Sequence, residues 1–391
     1  MTTAILVGES RVQIWSLTGR QRLERQLRAL DGVALAVDSS TLPSTGRVLL
    51  VRADYVFEQR ALKGLLNLDG LLLQEGIPVA AHVDAGLAPR ALRAIESGVW
   101  QADDISTFGI DLLQPFERDL RKSELPLVAP VSPENRSEIE DQLYGASYKG
   151  ITDFVTKWWW PRPAKLGVRW CASRGIPPNA VTAAGFVLMI ATCWLFYEGH
   201  YALGLLLGWF MTYLDTVDGK LARVTSQSSR FGHFLDHGMD IVHPPFWYWL
   251  WGLSLVHYQP IADIDRPDLY LTILAAYVGG RIIEAAFHSL GDTSIFAWRP
   301  FDAYFRLFTA RRNPCLVLLT ASWVIGNPAL GLWLVAGWTA LSTTVMLARF
   351  VYAMRVRYVD GPLTSWLAEP DAASRHPRAY EEFSATRQAY A

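Results

Sequence analysis

Two patterns of apolar and polar residues divide this chain. Up to about residue 140, short apolar runs alternate with amphipathic stretches. Residues 4–8 (AILVG), 33–38 (VALAVD), 47–52 (RVLLVR) and 78–83 (PVAAHV) have the length and composition of buried strands. Between them, 20–31 (RQRLERQLRALD) and 57–69 (FEQRALKGLLNLD) read as helices. Alternating β and α elements predict an α/β domain on a parallel sheet. From about residue 179 to 357 the pattern changes to long apolar runs. These read as six transmembrane helices, at about 180–197, 201–218, 234–257, 269–290, 314–331 and 332–354. The expected fold is an amino-terminal α/β domain (1–140) fused to an all-α polytopic membrane domain (179–357).

The connecting segment, 141–178, has two characters. Around 131–147 the chain is polar, with Pro133, Glu134, Asn135 and Ser137, and reads as a linker. Over 148–175, cations alternate with tryptophan: Lys157, Trp158, Trp159, Trp160, Arg162 and Arg169-Trp170. That mixture fits a helix lying at the level of lipid headgroups. Pro177 and Pro178 then break the chain, and Asn179 is placed to cap the first apolar run. Residues 358–391 are polar and contain proline, the composition of a disordered tail.

Loop charges orient the apolar runs. Lys220, Arg223 and Arg230 follow the second, Arg299, Arg306, Arg311 and Arg312 follow the fourth, and Arg349, Arg355 and Arg357 end the sixth. The 258–268 loop instead holds Asp263, Asp265 and Asp268 with one Arg266. Positive charge stays inside, so the amino-terminal domain and the ends of runs two and three are expected on the cytoplasmic side of the plasma membrane. Composition agrees: 51% of the 391 residues are hydrophobic, 19% are charged, and mean hydropathy is +0.15. Net charge is −1, which gives no attraction to nucleic acid. The start, MTTAILVGES, lacks a signal peptide's basic segment and cleavage site. Cys171, Cys193 and Cys315 lie too far apart for a disulfide framework or a thiolate metal motif.

Against this apolar background stand four carboxylates in residues 215–240. Asp215 and Asp218 are spaced i, i+3, and Asp236 and Asp240 i, i+4, so each pair shares one helix face. Ionised groups beside a bilayer are rare and usually functional. Two such faces turned toward each other make an all-oxygen cage for hard divalent cations, Mg²⁺ or Mn²⁺, rather than zinc. Helix capping and salt bridges to Lys220, Arg223 and Arg230 are the alternative use of the same residues. His233, His237 and His243 lie close by, but a hard oxygen site does not need imidazole. A calcium loop is excluded, because the spacing is not D-x-D-x-D-G and no Glu closes it.

The full pattern is Asp215-x2-Asp218-Gly219-x2-Ala222-Arg223-x8-Gly232-x3-Asp236-x3-Asp240. It resembles the signature of the CDP-alcohol phosphotransferase (CDP-alcohol phosphatidyltransferase) family at every fixed position. The preceding Pro178-Asn179-x2-Thr182 also resembles that family, and the likeness covers about residues 176–357. The resemblance implies an integral membrane enzyme of phospholipid biosynthesis. It would transfer a phosphoalcohol group, phosphatidyl above all, from a CDP-linked donor to a hydroxyl acceptor and release CMP. The donor is CDP-diacylglycerol or a soluble CDP-alcohol. The resemblance further implies two Mg²⁺ or Mn²⁺ ions on Asp215, Asp218 and Asp236, with Asp240 as general base and additional metal contact. Gly219, Ala222, Arg223 and Gly232 would line the cytidine-diphosphate site, and the protein would be a homodimer. The residue types suit the chemistry: a diphosphate needs its oxygens neutralised and an in-line nucleophile, and small residues let it approach a helix. Arg281 and Glu284 form either a phosphate contact or a self-satisfied ion pair. Arg299, Arg306, Arg311 and Arg312 form either an anionic acceptor pocket or a positive-inside anchor.

The amino-terminal element order resembles a sugar-type nucleotidyltransferase domain, as in inositol-phosphate cytidylyltransferase/phosphotransferase fusions. That family implies a glycine-rich loop and a lysine cradling the triphosphate. Here Gly8 stands alone in VGESRVQIWSLTGRQ, and Asp54 is a single candidate metal carboxylate. A degenerate, non-catalytic domain is expected. The rival is a bifunctional cytidylyltransferase/phosphotransferase making an inositol-phosphate product. A transporter is the reading from another class, but the halves show no repeat and the carboxylates cluster on one side. Inositol phosphate, glycerol phosphate, a polyol and another lipid all remain open as acceptor.

Overall fold

A computed structural model describes residues 1–36, 42–100, 104–227, 230–258, 267–387 and 390, without the side chains of 230–237, 239, 256–258 and 267. The amino-terminal sheet has six strands in the order Val33–Leu35, Thr2–Val7, Arg47–Arg52, Ile77–Asp84, Gly70–Gln74, Thr107–Gly109. It is mixed, not parallel as the sequence pattern suggested. Ile77–Asp84 runs antiparallel to both of its neighbours, and the other pairings are parallel. The cause is a hairpin: Glu75 (φ 51°) and Gly76 (φ 82°) join Gln74 to Ile77 through a two-residue turn with both φ positive. The central run Val48–Val51 is fully buried because both sheet faces are covered. The helices are α1 (Gly19–Arg28), α2 (Gln59–Leu65) and α3 (Ala88–Ser97). A capping box between Thr18 and Gln21 starts α1.

The stretch read as a linker is largely helical: α4 spans Arg136–Ala146 and buries Ile139, Leu143 and Tyr144. Trp15 donates from its backbone N to Glu140 Oε1 (3.0 Å) and from Nε1 to Glu140 O (2.9 Å). A π-helical turn, Val155–Trp159, leads into α5 (Pro161–Ser173). Trp158, Trp159 and Trp170 are each about half exposed. Trp15, Val56, Tyr144, Val168, Val217 and Leu221 are buried in one cluster, so the sheet domain and the helices share a core.

The helical part comprises α6 (Pro178–Tyr197), α7 (Tyr201–Val224), α8 (Arg230–Tyr258), α9 (Pro267–Phe287), α10 (Pro300–Phe308), α11 (Arg312–Val324) and α12 (Pro328–Asp360). Six transmembrane helices were expected. Among the described residues three stretches are long and apolar enough to cross a membrane: α6, Asp268–Leu290 and α12. The others fall short for local reasons. α7 carries Asp215, Asp218, Lys220 and Arg223 toward its end, and α11 has only 13 residues. Large apolar side chains such as Val187, Leu206, Leu271 and Val351 point outward, as a lipid-facing surface requires.

Over residues 358–387 the chain is not the disordered tail its composition suggested. Short helices form at Ala372–Arg375 and Pro377–Phe383, with Trp366 and Phe383 fully buried. The buried Lys122 pairs with Glu124 and donates from Nζ to Ala146 O (2.6 Å) and Thr386 Oγ1 (2.9 Å). Ser123 N donates to Ser384 O (2.8 Å), and Lys157 Nζ to Glu382 O (2.7 Å). The Tyr390 ring lies 4.5 Å from that of Tyr148. The tail's polar residues serve as hydrogen-bond partners between the sheet domain and the segment leading to the helices.

Candidate active site

Pro177 in extended conformation and Pro178 at the first helical position set the start of α6. This places Thr182 one turn in, where Oγ1 donates to Asp218 Oδ2 on α7 (2.6 Å). Asp218 is 5% exposed, and its Oδ1 is buried with no hydrogen-bond partner among the described residues. Thr182→Val should therefore leave a second carboxylate oxygen unpaired. A loss of about 1–3 kcal/mol is expected, read as a lower unfolding temperature in detergent.

Asp215, one helical turn before Asp218, shares a cation with α8. Arg312, at the start of α11, donates from Nη2 to Asp215 Oδ2 and from Nη1 to Asp240 Oδ1, each at 2.5 Å. Its side chain is only 11% exposed, against 23% for Asp215 and 44% for Asp240. One guanidinium thus ties three helices together, and Asp240 keeps an open side.

The backbone at Asp240 is braced as well. Pro244 and Pro245 lie inside α8 and lack the N–H groups that would bond the carbonyls four residues back. Those carbonyls belong to Asp240 and Ile241, and the Tyr277 hydroxyl of α9 donates to both (3.2 and 2.9 Å). His243 is buried, its ring centroid 4.6 Å from that of Trp247.

The other cations of the motif face the connecting segment. Lys220 Nζ and Arg223 Nη1 both donate to Ser147 O (3.3 and 3.2 Å), and Lys220 Nζ lies 3.7 Å from the Tyr148 ring centroid. Arg223 also donates to Gly219 O (3.1 Å). A Cβ on Gly219 would meet nothing closer than Arg223 Nη1 at 3.6 Å, so packing does not demand glycine there. Ala222 is half-buried on the same helix. Gly232, His233, Asp236 and His237 belong to α8, but their side chains lie outside the described residues.

The four arginines after α9 go to different places. Arg311 pairs with Glu284, which also receives Arg281 (2.9 Å). Arg299 stacks on Trp298 (5.3 Å), and Arg312 holds the aspartates. In the amino-terminal domain, Arg52 grips Asp54 from Nε (2.9 Å) and Nη2 (2.6 Å), so that carboxylate is already neutralised.

No group of three His, Cys, Asp or Glu side chains converges on a metal position among the described residues. What is described nevertheless fits a hard cation. The donors are carboxylate oxygens, and the orphaned Asp218 Oδ1 lacks a positive partner.

Residues 176–285 match the family model for CDP-alcohol phosphatidyltransferase. Choline/ethanolaminephosphotransferase 1 of Arabidopsis thaliana is 27% identical over 200 residues, covering 40% of this chain and 50% of that protein. Archaetidylinositol phosphate synthase of Pyrococcus horikoshii is 39% identical over 108 residues, 27% of this chain and 53% of that protein. The chain thus spans about half the length of the curated relatives it matches. A solved structure of Mycobacterium tuberculosis phosphatidylinositol phosphate synthase with CDP-DAG bound is 21% identical. It covers 48% of this chain and 94% of its own, with a TM-score of 0.39. The matched residues include Asp215, Asp218, Asp236 and Asp240 and end within α9.

Proposed function

We propose that this protein is a metal-dependent, membrane-embedded CDP-alcohol phosphotransferase. The observation that carries the reading is the gathering of Asp215 and Asp240 from two helices around one arginine, with Asp218 one turn further along α7 and one of its carboxylate oxygens unpaired among the described residues. Asp215, Asp218, Asp236 and the edge of Asp240 would hold two Mg²⁺ or Mn²⁺ ions, whose charge would neutralise the diphosphate and the departing CMP. The protein's own groups do the rest. Gly219, Ala222, Arg223 and Gly232 line the nucleotide site. Asp240, open on one side, accepts the proton of the acceptor hydroxyl. That oxygen forms a bond to the phosphorus carrying the donor's alcohol. The bond from this phosphorus to the CMP oxygen breaks, and CMP leaves with the electron pair. An aspartate is a weak base at neutral pH, so the hydroxyl must be held against it.

A homodimer in the plasma membrane with its site toward the cytoplasm belongs to the same reading. So does a non-catalytic amino-terminal domain, supported by the Arg52–Asp54 pair and the lone Gly8. The test uses purified full-length protein. CDP-diacylglycerol and soluble CDP-alcohols are paired with a panel of alcohol acceptors, and CMP is followed by chromatography. CMP release should fall at least about 100-fold with chelator and return with Mg²⁺ or Mn²⁺. No CMP from any pair would sink the proposal, and pyrophosphate release from CTP would restore the bifunctional reading.

A further inference from the structure

The connecting segment and a turn of the amino-terminal domain reach the aspartate motif. Ser147 O is held by Lys220 and Arg223 of α7, which fixes Lys149 two residues on. Gly150 N donates to Leu120 O (2.8 Å), and a Cβ on Gly150 would lie 2.6 Å from Arg121 O. This close approach sets the 118–121 turn against Lys149, and Arg121 takes a left-handed φ of 49° to make it. Arg306 of α10 lies within electrostatic reach of both Arg121 and Lys149, and Lys149 in turn feels Asp240.

These three cations share an unusual property. Among the described residues none of Arg121, Lys149 and Arg306 has a carboxylate within salt-bridge distance, although each is only partly exposed. Arg306 lies over the Phe296 ring (5.3 Å), and two of its guanidinium nitrogens, Nε and Nη1, are buried with no hydrogen-bond partner among the described residues. Its neighbours Arg311 and Arg312, by contrast, are both paired. Burial and the adjoining Arg121, Arg223 and Arg306 push the Lys149 ammonium down to about 8, against an upward pull from Asp240. Burial, Arg306 and Arg281 push Arg121 down to about 10. Half-buried cations that repel one another gain from an anion placed among them.

We propose that Arg121, Lys149 and Arg306 form an anion site beside Asp240 that takes the phosphomonoester of a soluble, phosphorylated acceptor alcohol. The inference rests on the transferase reading and narrows its acceptor. A phosphomonoester brings nearly two negative charges and several acceptor oxygens, which suits two guanidinium forks and an ammonium. Arg121 and Lys149 lie outside residues 176–285, so the preceding segments become a wall of the acceptor pocket and not a separate enzyme.

The experiment uses full-length protein in detergent. CMP release from CDP-diacylglycerol is compared for inositol 1-phosphate against inositol, and glycerol 3-phosphate against glycerol. At least one phosphorylated acceptor should be preferred by more than about 100-fold in kcat/KM. In Arg121→Gln and Lys149→Gln its KM should rise at least about 10-fold with kcat changed less than about 3-fold, and Arg121→Lys should recover part of the loss. Separately, inorganic phosphate should raise the unfolding temperature of the wild type but not of the double variant. Equal use of unphosphorylated alcohols with no phosphate shift overturns the site while sparing the transferase. A shift produced by phosphatidylglycerol vesicles and not by inorganic phosphate also overturns it, since the anion would then be a lipid headgroup. If no acceptor yields CMP, the transferase reading fails. A phosphate shift lost in the double variant would still establish the anion site.

Discussion

Asp240→Asn should cut CMP release by about 1,000-fold, within the ~10²–10⁴ range of general-base catalysis. Asparagine keeps the shape of the side chain and an oxygen that can accept from Arg312, so the bridge to α11 survives in weakened form. What it loses is the negative charge and the capacity to take a proton. The loss should therefore fall on kcat, with donor KM changed little. Tyr277 still braces the backbone carbonyl of residue 240 in the variant, so the helix around the change keeps its course. Rates measured at saturating donor and acceptor decide the matter. Undiminished turnover would remove Asp240 from proton transfer.

Removing the guanidinium of Arg312 should be the most damaging change to stability. Arg312→Gln leaves Asp215 and Asp240 facing each other across two helices without their common counter-charge. Breaking a fully buried ion pair from one side costs about 3–5 kcal/mol. Asp240 is 44% exposed and screened by water, so about 2–3 kcal/mol is expected here. The double variant Arg312→Gln with Asp215→Asn should recover at least half of that loss, because it removes the charge the single change strands. Unfolding temperatures in detergent read both effects. A single variant as stable as the wild type would show that the bridge carries no net weight.

The aspartate motif was legible in the sequence because its spacing is local: i, i+3 and i, i+4 put carboxylates on one helix face whatever the tertiary fold. Strand positions were legible for the same reason, since buried runs such as Val48–Val51 announce themselves. Strand direction was not. It hinged on the Glu75-Gly76 turn, which makes Gly70–Gln74 and Ile77–Asp84 a hairpin where an alternating pattern suggested crossovers. The number of long apolar helices was overestimated because hydropathy averaged over α7 hides the charges at its end. Partners from distant segments left little trace. Arg312 looked like one of four loop cations, and nothing in the sequence marks Lys149 as a neighbour of Asp240 or Arg121 as a neighbour of Lys149. Tyr277 had a signal that could have been followed: two successive prolines in a helix free two carbonyls, and something must donate to them.

The closure between residues 122–124 and 382–387 has a consequence for biogenesis. The sheet domain emerges from the ribosome first, but Lys122 and Ser123 find Thr386 and Ser384 only after every helix has been translated. The domain must wait, incompletely fastened, while the helices enter the bilayer. Until those late residues arrive, residues 122–124 lack these bonds, so nascent chains stalled at residue 370 should expose them to protease while chains that extend past residue 387 protect them.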